Sequence, residues 1–294
     1  MKAMFIHHSA EWLEGEFEAP QKLRDQEYLT VYRVARDPVS GRVGMSTRGH
    51  TGIWDSSGTL LWDNDHGADL CWINGGKELL SLEVTFGRCR QQKGIRHELK
   101  RLDAQSFRPV ETMEICVPTG PVCYLVPGPD HKRYLVTWYD QTPWGYVMVD
   151  APSFTQLPLL LSHKPTSTTV PAFSPDGASI VACHKYRSGW WNDEVDDYWD
   201  YPSPGGQRRI GTITVQDSLT GATSEHQVFV DLPAGWTPDR PDWDEWDTID
   251  GPEFVSETQF RIWLPDDSAE LLTLPLPERV EIQRPINNYR KWLY

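Results

Sequence analysis

The stretch that decides the fold is Val170-Pro-Ala-Phe-Ser-Pro-Asp-Gly177, continued by Ala178-Ser-Ile-Val-Ala-Cys183. Two short runs of strand-forming residues flank Pro175-Asp176-Gly177. Proline presets one turn dihedral, Asp bonds its own backbone, and Gly accepts a left-handed conformation, so the segment reads as strand, tight turn, strand. A third strand follows at Gly211-Thr-Ile-Thr-Val-Gln216, a turn at Leu219-Thr-Gly221, and a fourth strand from His226 to Asp231.

A second four-strand unit begins at Tyr28. It runs through Tyr32-Arg-Val-Ala-Arg-Asp-Pro-Val-Ser-Gly41 and Arg42 to Thr47, then Thr51-Gly-Ile-Trp-Asp55, a turn at Ser57-Gly58, and Thr59-Leu-Leu-Trp-Asp63. Both units resemble blades of the WD40 or TolB-type β-propellers. In those families the inner strand ends in S-P-D-G, and the third strand often closes on an aromatic residue plus Asp. Ile53-Trp54-Asp55 fits that signature, and Phe260-Arg-Ile-Trp263 fits it without the Asp.

The resemblance implies an all-β chain of four-stranded antiparallel blades, read as one domain over 1–294. Blades fall at about 28–64, 67–116, 120–162, 168–232 and 240–276 by the spacing of strand and turn signals. Two strands' worth of sequence remains at each end: Ala3 to His7 and Glu16 to Glu18, and Val280 to Ile282 and Tyr289 to Tyr294. If these share one blade they close the ring and remove the exposed sheet edges, giving six blades. Five or seven blades and an irregular β-sandwich are the alternatives. Only Glu16 to Gln26 could hold a short helix, and Pro20 works against it.

Charge narrows the partners. Among 294 residues, 42 acids face 28 bases, for a net charge of −14. That disfavours nucleic acid and anionic membrane surfaces as partners, since both need a positive footprint. No window approaches 18 consecutive apolar residues, so no transmembrane helix is expected. The five cysteines, Cys71, Cys89, Cys116, Cys123 and Cys183, are odd in number and scattered without a C-x-x-C. This favours small core residues in a reducing cytoplasm over a disulfide framework or structural zinc. A cytoplasmic monomer is the expectation.

Two segments depart from the repeat. Residues 188–206 hold five acids, no Lys or Arg, and three Trp; residues 236–253 hold seven acids, one Arg and three Trp. These 37 residues carry a net −11, so the other 257 carry only −3. The first segment interrupts the fourth blade between its second and third strands. The second joins the fourth blade to the fifth. In WD40-like propellers those connections emerge on one face, so the resemblance implies one shared rim.

Loops on a rigid scaffold are where binding residues concentrate. Carboxylates supply charge to a cationic ligand, and aromatic faces add about 0.5–2 kcal/mol per cation–π contact. The candidate ligand-binding residues are therefore Trp190, Trp191, Asp193, Asp196, Asp197, Trp199, Trp236, Asp242, Trp243, Asp244 and Trp246. Fitting ligands are a basic protein or peptide surface, a polyamine or a quaternary amine; sugars also suit Trp faces beside carboxylates. The competing reading is that the Trp residues anchor the long loops and the acids are solvated. Asp242, Asp244, Asp247 and Asp250 offer hard oxygens for calcium, but Thr248 breaks the EF-hand pattern at a ligand position.

No nucleophile or cofactor motif is present: no G-x-S-x-G, no H-E-x-x-H and no phosphate-binding glycine loop. His7 and His8 point to opposite faces of a strand and cannot chelate one metal together. His66 and His163, at blade junctions, read as packing residues. The expected function is a non-enzymatic binding or scaffold propeller. The alternative is a propeller-type hydrolase or lyase in which rim or channel carboxylates, with or without a divalent cation, act as acid and base.

Overall fold

The computed structural model describes residues 2–7, 17–18, 28–31, 33–37, 39–47, 49–88, 95–117, 122–139, 145–157, 170–185, 207–231, 249–264 and 268–285. Among them the chain is all-β except for a single 3-10 turn at Asn74–Gly76.

Four sheets follow the expected meander. The first contains β4 (Arg33–Arg36), β5 (Val43–Thr47), β6 (His50–Trp54) and β7 (Leu60–Asn64), paired in that order. The second contains β8 (Ala68–Ile73), β9 (Glu78–Arg88), β10 (Ile95–Asp103) and β11 (Pro109–Val117). The third contains β12 (Val122–Pro127), β13 (Arg133–Tyr139), β14 (Gly145–Asp150) and β15 (Thr155–Gln156). The fourth contains β16 (Ala172–Phe173), β17 (Ser179–Lys185), β18 (Gln207–Asp217) and β19 (Thr223–Asp231), extended by β23 (Arg279–Pro285). A three-stranded sheet holds β20 (Asp250–Phe254), β21 (Gln259–Trp263) and β22 (Ala269–Thr273). At the N-terminus β1 (Lys2–His7) lies between β2 (Phe17–Glu18) and β3 (Tyr28–Val31), antiparallel to the first and parallel to the second.

The strands fall into two compact units, β1–β15 (apart from the end residues Tyr139 and Gly145) and β16–β23. In the first unit, Ile53 of β6 packs with Leu70, Trp72, Leu79 and Leu102 of the second sheet. The other face of that second sheet (Leu80, Leu82, Leu99, Ile115) packs on Tyr134, Val136, Val147 and Val149 of the third. In the second unit, Val181, Ile213, Val228 and Val230 meet Phe260, Ile262 and Leu272. Sheets buried on both faces explain why β9 reads Leu79-Leu80-Ser81-Leu82 rather than alternating cleanly.

One turn recurs. The third strand of each four-strand meander closes on an Asp, namely Asp55, Asp103, Asp150 and Asp217. Its carboxylate accepts a hydroxyl two or three residues on: Ser57 at 2.6 Å, Ser106 at 2.7 Å, Thr220 at 2.9 Å, and Ser153 likewise. Each turn then places a residue in the left-handed region: Gly58 (φ 81), Phe107 (φ 53), Phe154 (φ 49) and Gly221 (φ 72). For the two phenylalanines this conformation carries strain that glycine avoids. Ring packing offsets it, with Phe107 on Trp62 at 6.0 Å and Phe154 beneath the Arg101 guanidinium at 5.4 Å. The quoted hairpin forms as expected: Ser174 hydroxyl donates to Asp176 at 2.5 Å, and Gly177 has φ 71.

The ends differ from expectation. Tyr28–Val31 pairs with β1, not with the first sheet, because the tight turn at Asp37 to Gly41 commits Arg33–Arg36 to β5. Val280 and Ile282 lie parallel to Val228 and Val230 rather than beside Ala3 to His7. Their side chains join the apolar cluster of the second unit, which fixes that pairing. Tyr289 to Tyr294 lie outside the described residues. Most of the Glu16 to Gln26 segment does too, and its Phe17–Glu18 part is strand. Cys116 is disulfide-bonded, whereas Cys71 and Cys183 are free, so the expectation of five reduced thiols is corrected.

Candidate functional site

Trp190, Trp191, Asp193, Asp196, Asp197, Trp199, Trp236, Asp242, Trp243, Asp244, Trp246 and Asp247 lie outside the described residues. Asp250 is the first residue of β20 and pairs with Trp263. Among the described residues, no group of three or more His, Cys, Asp or Glu could hold a metal ion.

The roots of both acidic segments are described. Segment 186–206 leaves the sheet at Lys185, the last residue of β17, and returns at Gln207, the first of β18. The second segment, expected over 236–253, follows Asp231, the last residue of β19, and its end is corrected: Asp250 to Glu253 belong to strand β20. Gln207 and Asp231 are direct register partners in the β18–β19 ladder. The exit of the second segment therefore sits across one strand pair from the return of the first. Lys185 pairs with Gly211, so Gln207 to Ile210 run on past the end of β17.

Side chains reinforce this end of the sheet. Gln207 Nε2 donates to Asp231 Oδ1 at 3.0 Å, and Arg279 Nη2 donates to Gln207 Oε1 at 2.6 Å. The Arg279 guanidinium stacks 3.5 Å over Phe229 and donates through Nε to Glu281 at 2.7 Å. Such stacking is a guanidinium property that lysine would not reproduce. Beneath it, the ladder shifts register between Arg209 and Gly211. A Cβ on Gly211 would lie 2.7 Å from Ile249 Cδ1 and 2.8 Å from the His184 carbonyl, so glycine is what lets Ile249 pack there. Burial pushes the His184 imidazole down to about 4, so it is neutral at pH 7, 2.6 Å from the Thr214 hydroxyl. Neither Gln207 nor Arg279 stood out in the sequence, since their significance lies in a pairing with β23 that no local pattern announces.

Elsewhere, the polar centres read as structural. Asp69 lies almost wholly buried, and burial raises its carboxyl pKa against the opposing pull of Arg33 and the N–H groups of Leu125 and Leu70. Its Oδ2 accepts Leu125 N–H at 2.7 Å, which ties β8 to β12. Burial, with Asp69 beside it, pushes the Cys71 thiol up to about 12. That thiol stays protonated at neutral pH and is no nucleophile.

No protein-family model and no curated protein sequence matches this chain. Solved structures do. Hydrazine synthase of Kuenenia stuttgartiensis aligns with a TM-score of 0.58 at 11% identity, over 90% of this chain and 68% of that one. The Dos1 propeller aligns with a TM-score of 0.57 at 9% identity, over 91% of this chain and 61% of that one. The chain thus spans about two thirds of the length of each. At such identities the likeness concerns the fold alone, and the fold of this chain is that of a β-propeller, built of sheets of which several are four-stranded and antiparallel.

Proposed function

We propose that this chain is a binding propeller of the WD40-like kind, with six blades, that presents the acidic, Trp-rich segments 188–206 and 236–253 to a cationic partner. The observation that supports this best is the register pairing of Gln207, which follows the first segment, with Asp231, which precedes the second. Twelve acids and six Trp against one Arg in those segments fit a basic protein or peptide surface, or a small cationic ligand. The overall −14 charge favours such partners over nucleic acid or an anionic membrane. A monomer is the working state. The bond at Cys116 counts against the reducing cytoplasm inferred from the cysteine pattern, because disulfides persist chiefly in oxidising compartments.

The test titrates the chain with a deca-lysine peptide and with spermine by calorimetry, from about 0.05 to 0.3 M salt, a range over which exposed charges become screened. Binding should weaken with salt and with Asp196, Asp197, Asp242 and Asp244 together replaced by Asn, at an unchanged melting temperature. Equal binding by the quadruple variant would remove the rim from the mechanism.

A further inference from the structure

Ser224 and His226 occupy one face of β19, two residues apart, and the connection into β23 passes over the imidazole. His226 Nδ1 lies 2.8 Å from the Pro277 carbonyl oxygen, and His226 Nε2 lies 2.8 Å from Ser224 Oγ. A carbonyl oxygen only accepts, so Nδ1 carries the proton. In the neutral ring Nε2 is then an acceptor, and the Ser224 hydroxyl donates to it. His226 is buried and Ser224 is exposed. The arrangement is a serine polarised towards a histidine base whose tautomer is fixed by a third group, the relationship that activates serine nucleophiles.

The backbone adds a donor. Gln227 N–H bonds outward to Glu278 O at 2.9 Å, on the side of β19 facing away from β18. Antiparallel pairing alternates inward and outward N–H groups, so Glu225 N–H also points outward. β23 begins alongside only at Gln227, opposite Arg279, so the Glu225 N–H faces the sheet margin ahead of that strand. It belongs to the residue that follows Ser224, and a donor there can meet the oxygen of a carbonyl under attack.

We propose that Ser224 is an acyl-accepting nucleophile with His226 as its general base, acting on small activated esters reached at the exposed Ser224 end of β19. Ser224 Oγ bonds to the ester carbonyl carbon while its proton passes to His226 Nε2. The tetrahedral intermediate then collapses, the bond to the leaving oxygen breaks, and that oxygen takes the proton. Water, deprotonated by the same Nε2, hydrolyses the acyl-serine and regenerates the hydroxyl. The proposal uses no residue of the acidic segments, so it holds or fails independently of the binding function.

The experiment exposes the full chain to a fluorophosphonate, which forms an O–P bond to serine and releases fluoride, and maps the adduct by mass spectrometry. General-base assistance should make Ser224 react about 100-fold faster than the other exposed serines. Ser224→Ala should abolish that adduct and the release of p-nitrophenol from p-nitrophenyl acetate. His226→Gln should slow the labelling of Ser224 to the rate of an ordinary serine. Labelling of wild-type Ser224 at the background rate overturns the assignment, and this readout stands even if the His226 variant does not fold.

Discussion

Arg42 Nη2 lies 2.9 Å from Asp37 Oδ2, a carboxylate whose side chain is only 1% exposed. The same guanidinium donates to Gly76 O at 2.9 Å and to Ala104 O, and lies 4.6 Å from the centre of the Trp72 ring. It therefore fastens the first turn of one sheet to two turns of the next. Arg101 repeats the device one sheet along, donating to Ala151 O at 3.2 Å. Ala104 and Ala151 each follow a turn Asp, so both arginines grip the same point of a neighbouring turn. Arg42→Ala strands Asp37 in a buried setting and should cost about 3–5 kcal/mol. Arg42→Lys keeps the charge, loses the fork and should fall between that and wild type. Urea unfolding measures both; a loss under about 1 kcal/mol for Arg42→Ala would show that the clasp is not a major source of stability.

Gly75 and Gly76 separate backbone strain from collision. Both adopt positive φ, 63 and 79, but a Cβ on Gly75 meets nothing within 4 Å, whereas one on Gly76 would lie 2.3 Å from Asp37 Oδ1. Gly75→Ala should cost about 1–2 kcal/mol from the left-handed conformation alone. Gly76→Ala should cost clearly more. Its cost should shrink when Asp37 is already mutated to Ala, because the two changes share one contact. Equal costs for the two glycines would place the whole effect in the backbone.

The four-strand meanders were legible because their turns are encoded locally. Ser174-Pro-Asp-Gly177 and the aspartates at the ends of third strands name both a turn and the strands it joins. Pairings without a turn were not legible. Tyr28 to Val31 looks like a strand by composition, but nothing in it says that its partner is β1. Val280 and Ile282 reach β19 across about 50 residues, in a parallel register that no hairpin dictates. The acidic, Trp-rich segments stand out as composition only. The Gln207–Asp231–Arg279 contact at their flanks depends on that same parallel strand. Ser224-Glu-His226 is an ordinary strand sequence until Pro277 fixes the tautomer.

The turn carboxylates predict acid sensitivity. The Ser57 hydroxyl and Thr59 N–H hold Asp55 below the usual carboxylate range; the Ser106 hydroxyl and N–H do so for Asp103. The Ser174 hydroxyl and Ala178 N–H hold down Asp176, and the Thr220 N–H and hydroxyl hold down Asp217. At Asp37 burial pushes upward, but Ser40, the Val39 N–H and Arg42 together outweigh it. A depressed folded value means stability that is complete above the unfolded value of 3.8 and lost as pH falls through the folded values. Asp69 has the opposite sign, its raised value favouring the folded state as it protonates. Urea midpoints should therefore drop below about pH 4, and replacing Asp55, Asp103 and Asp217 by Asn should flatten that drop. A slope unchanged by the triple substitution would trace the acid sensitivity to other groups.

Thiol reactivity should divide in two. Cys183 is fully buried and the Cys71 thiol is pushed up to about 12, so neither should react with an aromatic disulfide reagent in the native state at about pH 8. Unfolding without reductant should release fewer than the five thiols of the sequence, because Cys116 is bonded, and reductant should restore all five. Five thiols titrating in unreduced, unfolded protein would contradict the bond.

Trp190 and Trp243 decide what the aromatic residues of the two acidic segments are for. If they meet a cation, each contributes about 0.5–2 kcal/mol, and Trp190→Ala or Trp243→Ala should weaken the binding of a deca-lysine peptide several-fold, up to about 30-fold. In that case the melting temperature should not change. If instead each Trp packs its own loop, melting temperature falls and affinity falls only with it. Measuring both quantities on the same samples separates the cases, with Trp190→Phe as the internal control. A ligand-facing Trp190 should keep part of its affinity as Phe, since an aromatic face remains. A Trp190→Ala protein that melts like wild type and binds like wild type would leave the carboxylates alone as the source of affinity.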